Sequence, residues 1–495
     1  MIADEAVRLA QIRLVGETSD QQEQSRQSRP PTRNGLATLW MRDFEPAVML
    51  EVEISQSLPD TPGLTTELGK RYRRALALVR LHSQPIGLLE LPLWEAGISP
   101  HQLALSIWEA LGMQINAHLK ADGLLPIHKL SSKGIQSGET PPCLEARQAF
   151  LANAPFVSVV IPTHDRPQQV VELVHSILAS EYPADRYEVI VVDNAPSGPD
   201  TAQLIWQTFG EHPQVRYTRK KRAGSSYARN SGVELALGDI VVFADDDVLV
   251  DRYWLAEMAR GFETSKDVGC VTGLIVPMEL KTPAQEWFEQ FGGFCKAGMT
   301  RRLFNLTDHR DTSPLFPYNV GSYGAGASMA FRRSVLRELK GFDPALGPAT
   351  LTLGGEDIDA MLRMILSGRT LLYTPAAIAR HCARREYHHL HKQIQGYGSG
   401  LAACLFKTAV SSPRQALDFM RKLPRGLLFA FNPWSSHHAG KKSGYPVKLT
   451  LLEIWGFLCG SSAYVLSRRR ITQNVTLHGA ATYPEPRAIS VGEAG

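Results

Sequence analysis

The chain has 495 residues, 44% hydrophobic and 21% charged, enough for two or three domains of ordinary globular composition. A formal net charge of +4 excludes a chain-wide nucleic-acid binder, and no nucleic-acid partner is expected. The six cysteines, Cys143, Cys270, Cys295, Cys382, Cys404 and Cys459, form no CxxC pair. Their spacing predicts neither a zinc site nor a dense disulfide framework, but reduced thiols in a cytoplasmic compartment. The opening MIADEAVRLAQ has no basic stretch followed by an apolar run, so no secretory signal is expected.

Residues 1–36 include ETSDQQEQSRQSRPPTRNGL, too polar to bury a core, and read as a disordered tail. From 37 to 127 the pattern becomes globular. LWMRDFEPAVMLEVEI and RALALVRLHSQPIGLLELPL predict strands, the second with a hairpin turn at HSQPIG. HQLALSIWEALGMQINAHL has apolar residues at helical spacing. This is a small α+β module without a constellation that carries chemistry, and packing or partner docking is its expected role. Residues 128–154, with KLSSKGIQSGETPP, read as a linker.

Beyond 155, the strands FVSVVI, YEVIVV, VRYT, DIVVF and VGCVTGLIV alternate with the helices PQQVVELVHSILAS, TAQLIWQTF, SYARNSGVELAL and YWLAEMARGF. The alternation predicts an α/β domain, a mostly parallel sheet flanked by helices. Ligands of such sheets bind beyond the carboxyl ends of the strands. Three of those ends are polar: Pro162-Thr163-His164-Asp165-Arg166-Pro167, Asp193-Asn194 and Asp245-Asp246-Asp247. Two like charges at ~4 Å repel by roughly 4 kcal/mol near a protein surface, so the triplet needs water, a basic partner or a cation. Lys220, Lys221 and Arg222 precede Gly224 and Ser225, which open a helix carrying Arg229. A helix N-terminus suits phosphate. Acidic turns and an exposed basic loop explain each piece singly. Together they suggest a diphosphate bridged by magnesium or manganese, which favour carboxylate and phosphate oxygens.

VSVVIPTHDRP, YEVIVVDNAPS, AGSSYARNSGVELALGDIVVFADDDVLVDRYWL and GGEDIDAMLRMILSG resemble, in order and spacing, the family 2 glycosyltransferases with the GT-A fold. The resemblance covers residues 155–407. It implies a metal-dependent, inverting transferase that moves a sugar from a nucleoside-diphosphate sugar, a UDP-sugar at family level. The acceptor would be a hydroxyl of a saccharide or lipid-linked saccharide. By resemblance, Pro162, Thr163, Asp165, Arg166, Asp193 and Asn194 hold the nucleotide, and Gly224, Arg229 and Asn230 lie beside the donor. Asp245 faces the ribose and the metal, Asp247 is the principal metal ligand, and Asp246 is the variable middle residue. Asp357 is the implied base, with Glu356 second and Asp359 third. Ala325 and Gly326 lie near the acceptor and donor sugar, and His381 is a candidate third metal ligand. The chain lacks the QxxRW motif and multiple spanning helices of the processive branch, so single addition is expected. Two other readings are a nucleotidyltransferase, which the loop PTHDRP disfavours, and a non-catalytic scaffold.

Residues 408–495 read as a basic, partly apolar helical region with a flexible end. Residues 449–467, LTLLEIWGFLCGSSAYVLS, are followed by Arg468-Arg469-Arg470, and their length is borderline for a span of ~20 residues. Between 407 and 470 the only acids are Asp418 and Glu453, an imbalance that suits an anionic membrane surface. A peripheral contact on the inner face of the plasma membrane is expected first, then a packed core helix, then a true span.

Overall fold

The computed structural model describes residues 44–478 except 67, 68, 70, 137, 296, 432–440, 442 and 443. The tail read over 1–36 and the C-terminal end beyond 478 lie outside the described residues.

The N-terminal module is a three-stranded sheet of β1 (Ala47–Glu53), β2 (Arg74–Leu81) and β3 (Gln84–Pro92), with β2 in the middle. The expected hairpin joins β2 to β3. Its turn residues, His82 and Ser83, have φ of 53° and 64°, the two positive values that a two-residue type I′ turn requires. Helix α1 (Pro100–Ala121) opens with a Ser99/Gln102 capping box and lays Leu103, Ile107, Leu111 and Ile115 on the sheet.

The segment read as a linker contains a helix, α2 (Pro142–Ala152). Its adjacent prolines looked like a linker, yet proline also suits the first helical turn. Arg147 of α2 is buried, donates to Glu257 Oε1 at 2.7 Å and stacks over the Tyr253 ring.

Next come β4 (Val157–Thr163), α3 (Pro167–Leu178), β5 (Tyr187–Asn194), α4 (Asp200–Phe209), β6 (Val215–Lys220), α5 (Ser225–Leu235), β7 (Ile240–Phe243) and β8 (Val248–Val250). They are followed by α6 (Trp254–Arg260), β9 (Val268–Pro277), α7 (Pro283–Phe291), β10 (Arg302–Phe304), β11 (Met329–Arg332), α8 (Arg333–Glu338), α9 (Glu356–Leu366) and β12 (Thr370–His381). The sheet runs β10-β12-β9-β11-β7-β4-β5-β6, with β8 beside β12. Strands β5, β7, β9 and β12 are buried along their whole length, as a sheet covered on both faces requires. The half from β7 to β6 is parallel. The other half is mixed, because β11 enters antiparallel between β7 and β9. The expectation of a mostly parallel sheet thus holds for the first half only.

The module docks on β9 and β12. Leu78 and Leu88 pack with Leu274, Val276 and Ile378, and Ala47 N–H donates to Leu280 O at 2.9 Å. Arg80 grips Asp251 with two hydrogen bonds of 2.7 and 3.2 Å, and Arg380 reaches the same carboxylate. Burial raises the Asp251 pKa, but Arg80 and Arg380 outweigh it and bring it down to about 2. Its contribution to stability is therefore full above the unfolded value of about 4 and lost as pH falls towards the folded one. Asp251→Ala leaves two buried arginines without this carboxylate, and a loss of roughly 3 kcal/mol is expected in denaturant titration.

Three helices close the described chain: α10 (Tyr387–Ser411), α11 (Pro413–Phe431) and α12 (Val447–His478). Helices α10 and α12 meet along a seam of glycines. A Cβ at Gly398 would stand 2.1 Å from Glu453 O, and one at Gly456 2.1 Å from Gln395 O, so only glycine permits this approach. The stretch Val447–Gln473 is long and apolar enough to cross a membrane. Leu451, Trp455 and Leu458, at helical spacing on α12, are exposed, as are Leu417, Met420 and Leu428 on α11.

Candidate functional site

Strands β5 and β6 lie on one side of β4, and β7 lies on the other. Chain order thus reverses between β4 and β7, and such a reversal opens a crevice beyond the strands' carboxyl ends. The three aspartates turn the chain there from β7 into β8, with Val248 N–H donating to Asp245 O at 3.3 Å. Each carboxylate finds its own cationic partner. Asp246 accepts from Thr163 Oγ1 at 2.8 Å and Arg166 Nη1 at 2.6 Å. Asp245 accepts from Arg229 Nη2 at 2.7 Å. Asp247 Oδ2 lies 3.3 Å from Arg166 and 3.2 Å from Arg384, and its Oδ1 lies 3.6 Å from His381 Nε2. The repulsion within the triplet is met by three arginines, with His381 beside Asp247.

The second acidic motif opens α9. Gly355 before it has φ 95°, and a Cβ there would meet Gly400 O at 2.5 Å. Both the φ and the close approach demand glycine. Glu356 Oε1 accepts from Arg229 Nη1 at 2.6 Å and Ser225 Oγ at 2.7 Å. Buried Arg229 therefore ties Asp245 to Glu356. Among the described residues Asp357 accepts only from backbone N–H groups, Gly326 at 2.7 Å and Ile358 at 2.8 Å. These contacts separate the two acids: Glu356 is held by a guanidinium, whereas Asp357 faces the cavity.

The environments push the carboxyls apart. Burial, reinforced by the Glu356 charge, raises Asp357 to about 6 against the pull of Arg229. Burial likewise raises Asp246 to about 6, partly offset by Arg166. Burial also acts upward on Asp247, but His381, Arg384 and Arg166 hold it below the usual carboxylate range. Burial lowers His381 despite Asp247 beside it, which favours the neutral imidazole that ligates metals. Divergent acids in one cleft are the pattern of acid–base machinery.

A cavity of about 930 Å³ gathers Asp245, Asp247, His381, Asp357, Arg229 and Arg384 on its polar side. Arg166, Glu356, Ala325 and Gly326 also line it, and it continues between Leu401, Phe419, Ile454 and Phe457 of the C-terminal helices. Pro162, Thr163, Asp165, Asp193, Asn194, Gly224, Asn230 and Asp246 do not line it. Asp165 accepts from Ser197 N and Oγ at 2.9 and 2.6 Å, joining the loops after β4 and β5. Asp193 accepts from Tyr217 at 2.7 Å, and its Oδ1 is buried without a partner among the described residues. Two expectations change. The Gly224 N–H is already donated to Asn194 Oδ1 at 2.7 Å, so it is not free for phosphate. The Asn230 amide is taken up by the Phe342 backbone at 2.8 and 2.9 Å. Asp359 is buried between Arg363 and Lys407, away from the cavity. Sequence reasoning missed Arg384, whose signal was the pair Arg384-Arg385 just after His381.

Asp245, Asp247 and His381 could hold one divalent cation. Carboxylate oxygens with a neutral imidazole suit manganese, and the 3.6 Å between Asp247 Oδ1 and His381 Nε2 lets both reach a shared ion. The donor set fits.

A family model described as glycosyl transferase family 2 matches residues 158–340. The chain is 29% identical over 196 residues to a glucosyl-dolichyl phosphate glucuronosyltransferase of Haloferax volcanii, covering 39% of this chain and 57% of that protein. It is 27% identical over 248 residues to a pre-mycofactocin glycosyltransferase of Mycobacterium tuberculosis, covering 50% and 47%. The chain thus spans about half the length of the curated relatives it matches. Among solved structures it is similar to mannosyltransferase PcManGT from Pyrobaculum calidifontis in complex with GDP-Man and Mn2+. That match has a TM-score of 0.42 and 18% identity, over 66% of this chain and 80% of the other.

Proposed function

We propose that this chain, whose residues 158–340 match a model of glycosyl transferase family 2, transfers a sugar, with inversion, from a nucleoside-diphosphate sugar to the hydroxyl of a lipid-linked acceptor at a membrane surface. Asp357 is the base. It takes the acceptor's proton as the oxygen attacks the anomeric carbon. Direct attack opposite the departing diphosphate inverts the configuration. Asp245, Asp247 and His381 would hold a divalent cation, which would supply charge neutralisation for the leaving diphosphate. Arg229 fixes the spacing between the metal carboxylate and the second acidic motif. A UDP-sugar is the first choice of donor.

The observation that carries this reading is the shared cavity. It brings Asp247, His381 and Asp357 together and then runs into an apolar annex built by α10, α11 and α12. A water-soluble saccharide has no use for that annex, whereas a lipid tail does. A similar protein named for glucosyl-dolichyl phosphate supports the same acceptor class. The decisive assay incubates the full chain and manganese with a panel of nucleotide sugars and paired acceptors, one lipid-linked and one water-soluble. Transfer to the lipid-linked acceptor with inversion is expected; equal transfer to both would sink the acceptor assignment.

Two further outcomes follow from the geometry. With Asp357 titrating at about 6, the base is protonated below that pH. Turnover should rise about tenfold per unit up to pH 6 and then level off; a flat profile from pH 5 to 8 would remove Asp357 from the role. The exposed Leu451 and Trp455 of α12, a helix that also carries Lys448 and Arg468–Arg470, form the proposed contact with anionic lipid. The double change to glutamate should release the protein from phosphatidylserine vesicles in a flotation assay and leave turnover of a detergent-solubilised acceptor intact.

A further inference from the structure

Away from the cavity, the N-terminal module brings together four side chains that sequence spacing kept apart. His82 comes from the β2–β3 turn, His118 and Asp122 from the C-terminal end of α1, and Cys143 from the first turn of α2. One ligand atom of each lies within 4.8 Å of all the others. His82 Nδ1 and His118 Nε2 are 3.1 Å apart, and they lie 3.2 and 3.3 Å from the same Asp122 Oδ2. His82 and Asp122 are buried.

We propose that His82, His118, Asp122 and Cys143 form a structural zinc site that clasps the N-terminal module to α2. Ligand atoms about 2.0–2.1 Å from zinc at tetrahedral angles stand about 3.3 Å from one another, and the three edges above have that length. Protons satisfy such a triangle poorly. An N–H can point along only one edge, so two neutral imidazoles and a carboxylate leave one edge as a contact of like groups. A cation answers all the lone pairs at once. Two neutral imidazoles, one carboxylate and one thiolate also balance a divalent charge, which a buried site requires. Cys143 supplies the fourth corner and releases its thiol proton to solvent on binding. A closed set of four protein ligands leaves no open position for substrate, which marks the site as structural. The clasp is a mechanical link, because the Arg147–Glu257 pair fastens α2 to α6.

Elemental analysis of the full chain, purified from zinc-supplemented culture, tests this. One zinc per chain is expected, retained in Asp247→Asn and lost in His118→Ala and Cys143→Ser. Chelation should lower Tm by about 5 °C or more and expose the module to protease. Should those variants fail to fold, cobalt exchange into the wild-type chain serves instead. Tetrahedral visible bands with a thiolate charge-transfer band support the site. Two results would overturn it: wild-type protein without zinc whose Tm ignores added zinc, or zinc that disappears with Asp247→Asn and stays with His118→Ala.

Discussion

Asp357→Asn lowers kcat by about 10²–10⁴ and leaves donor affinity nearly unchanged. The side chain lines the cavity, and burial next to Glu356 raises it to about 6, near the value that suits a base at neutral pH. Asparagine keeps the shape and cannot take a proton. It also forfeits one of two backbone hydrogen bonds, from Gly326 or Ile358, a cost of roughly 1 kcal/mol. That cost falls on stability, so Tm and turnover separate the two effects. Single-turnover kinetics with saturating donor are the measurement, and a loss confined to KM would assign Asp357 to binding instead. Glu356→Gln provides the contrast. It removes the negative charge that pairs with buried Arg229, so it should disturb the site's architecture and reduce the yield of folded protein.

Asp247→Asn should cost about 10²–10³ in kcat/KM and raise the manganese concentration needed for half-maximal activity. Its Oδ1 is the oxygen nearest His381, and the neighbouring cations already hold it ionised. The substitution removes one charge beside Arg166 and Arg384, so the site becomes more positive and binds a cation less well. Nucleotide titration calorimetry with and without manganese reads this directly. Metal-dependent binding that survives unchanged would move the ligand role to Asp245 and His381 alone.

Much of this site could be read from the chain because its parts are local. The strand ends, the aspartate triplet and the acidic start of α9 each sit within a short run whose hydrophobic period places it. Everything that depends on distant partners was hidden. Arg229 reaches Asp245 and Glu356 at once, and no period in the sequence announces that bridge. The insertion of β11 between β7 and β9 is a choice of topology, not of propensity. Helix α2 was taken for linker because Pro141 and Pro142 carry opposite meanings before and within a first turn. His82, His118, Asp122 and Cys143 match no metal-binding spacing, since the fold, not the chain, makes them neighbours.

The glycine seam has a further consequence. On one side α10 meets α12 backbone to backbone at Gly398 and Gly456; on the other it meets the loop before α9 in the same way, at Gly400 and Gly355. Side chains are the compliant parts of a protein interface, and at these four glycines there are none. Helix α10 is a stiff strut between the helix that faces outward and the loop that aims Asp357. A tilt of α12 is passed through these two backbone contacts towards the acid.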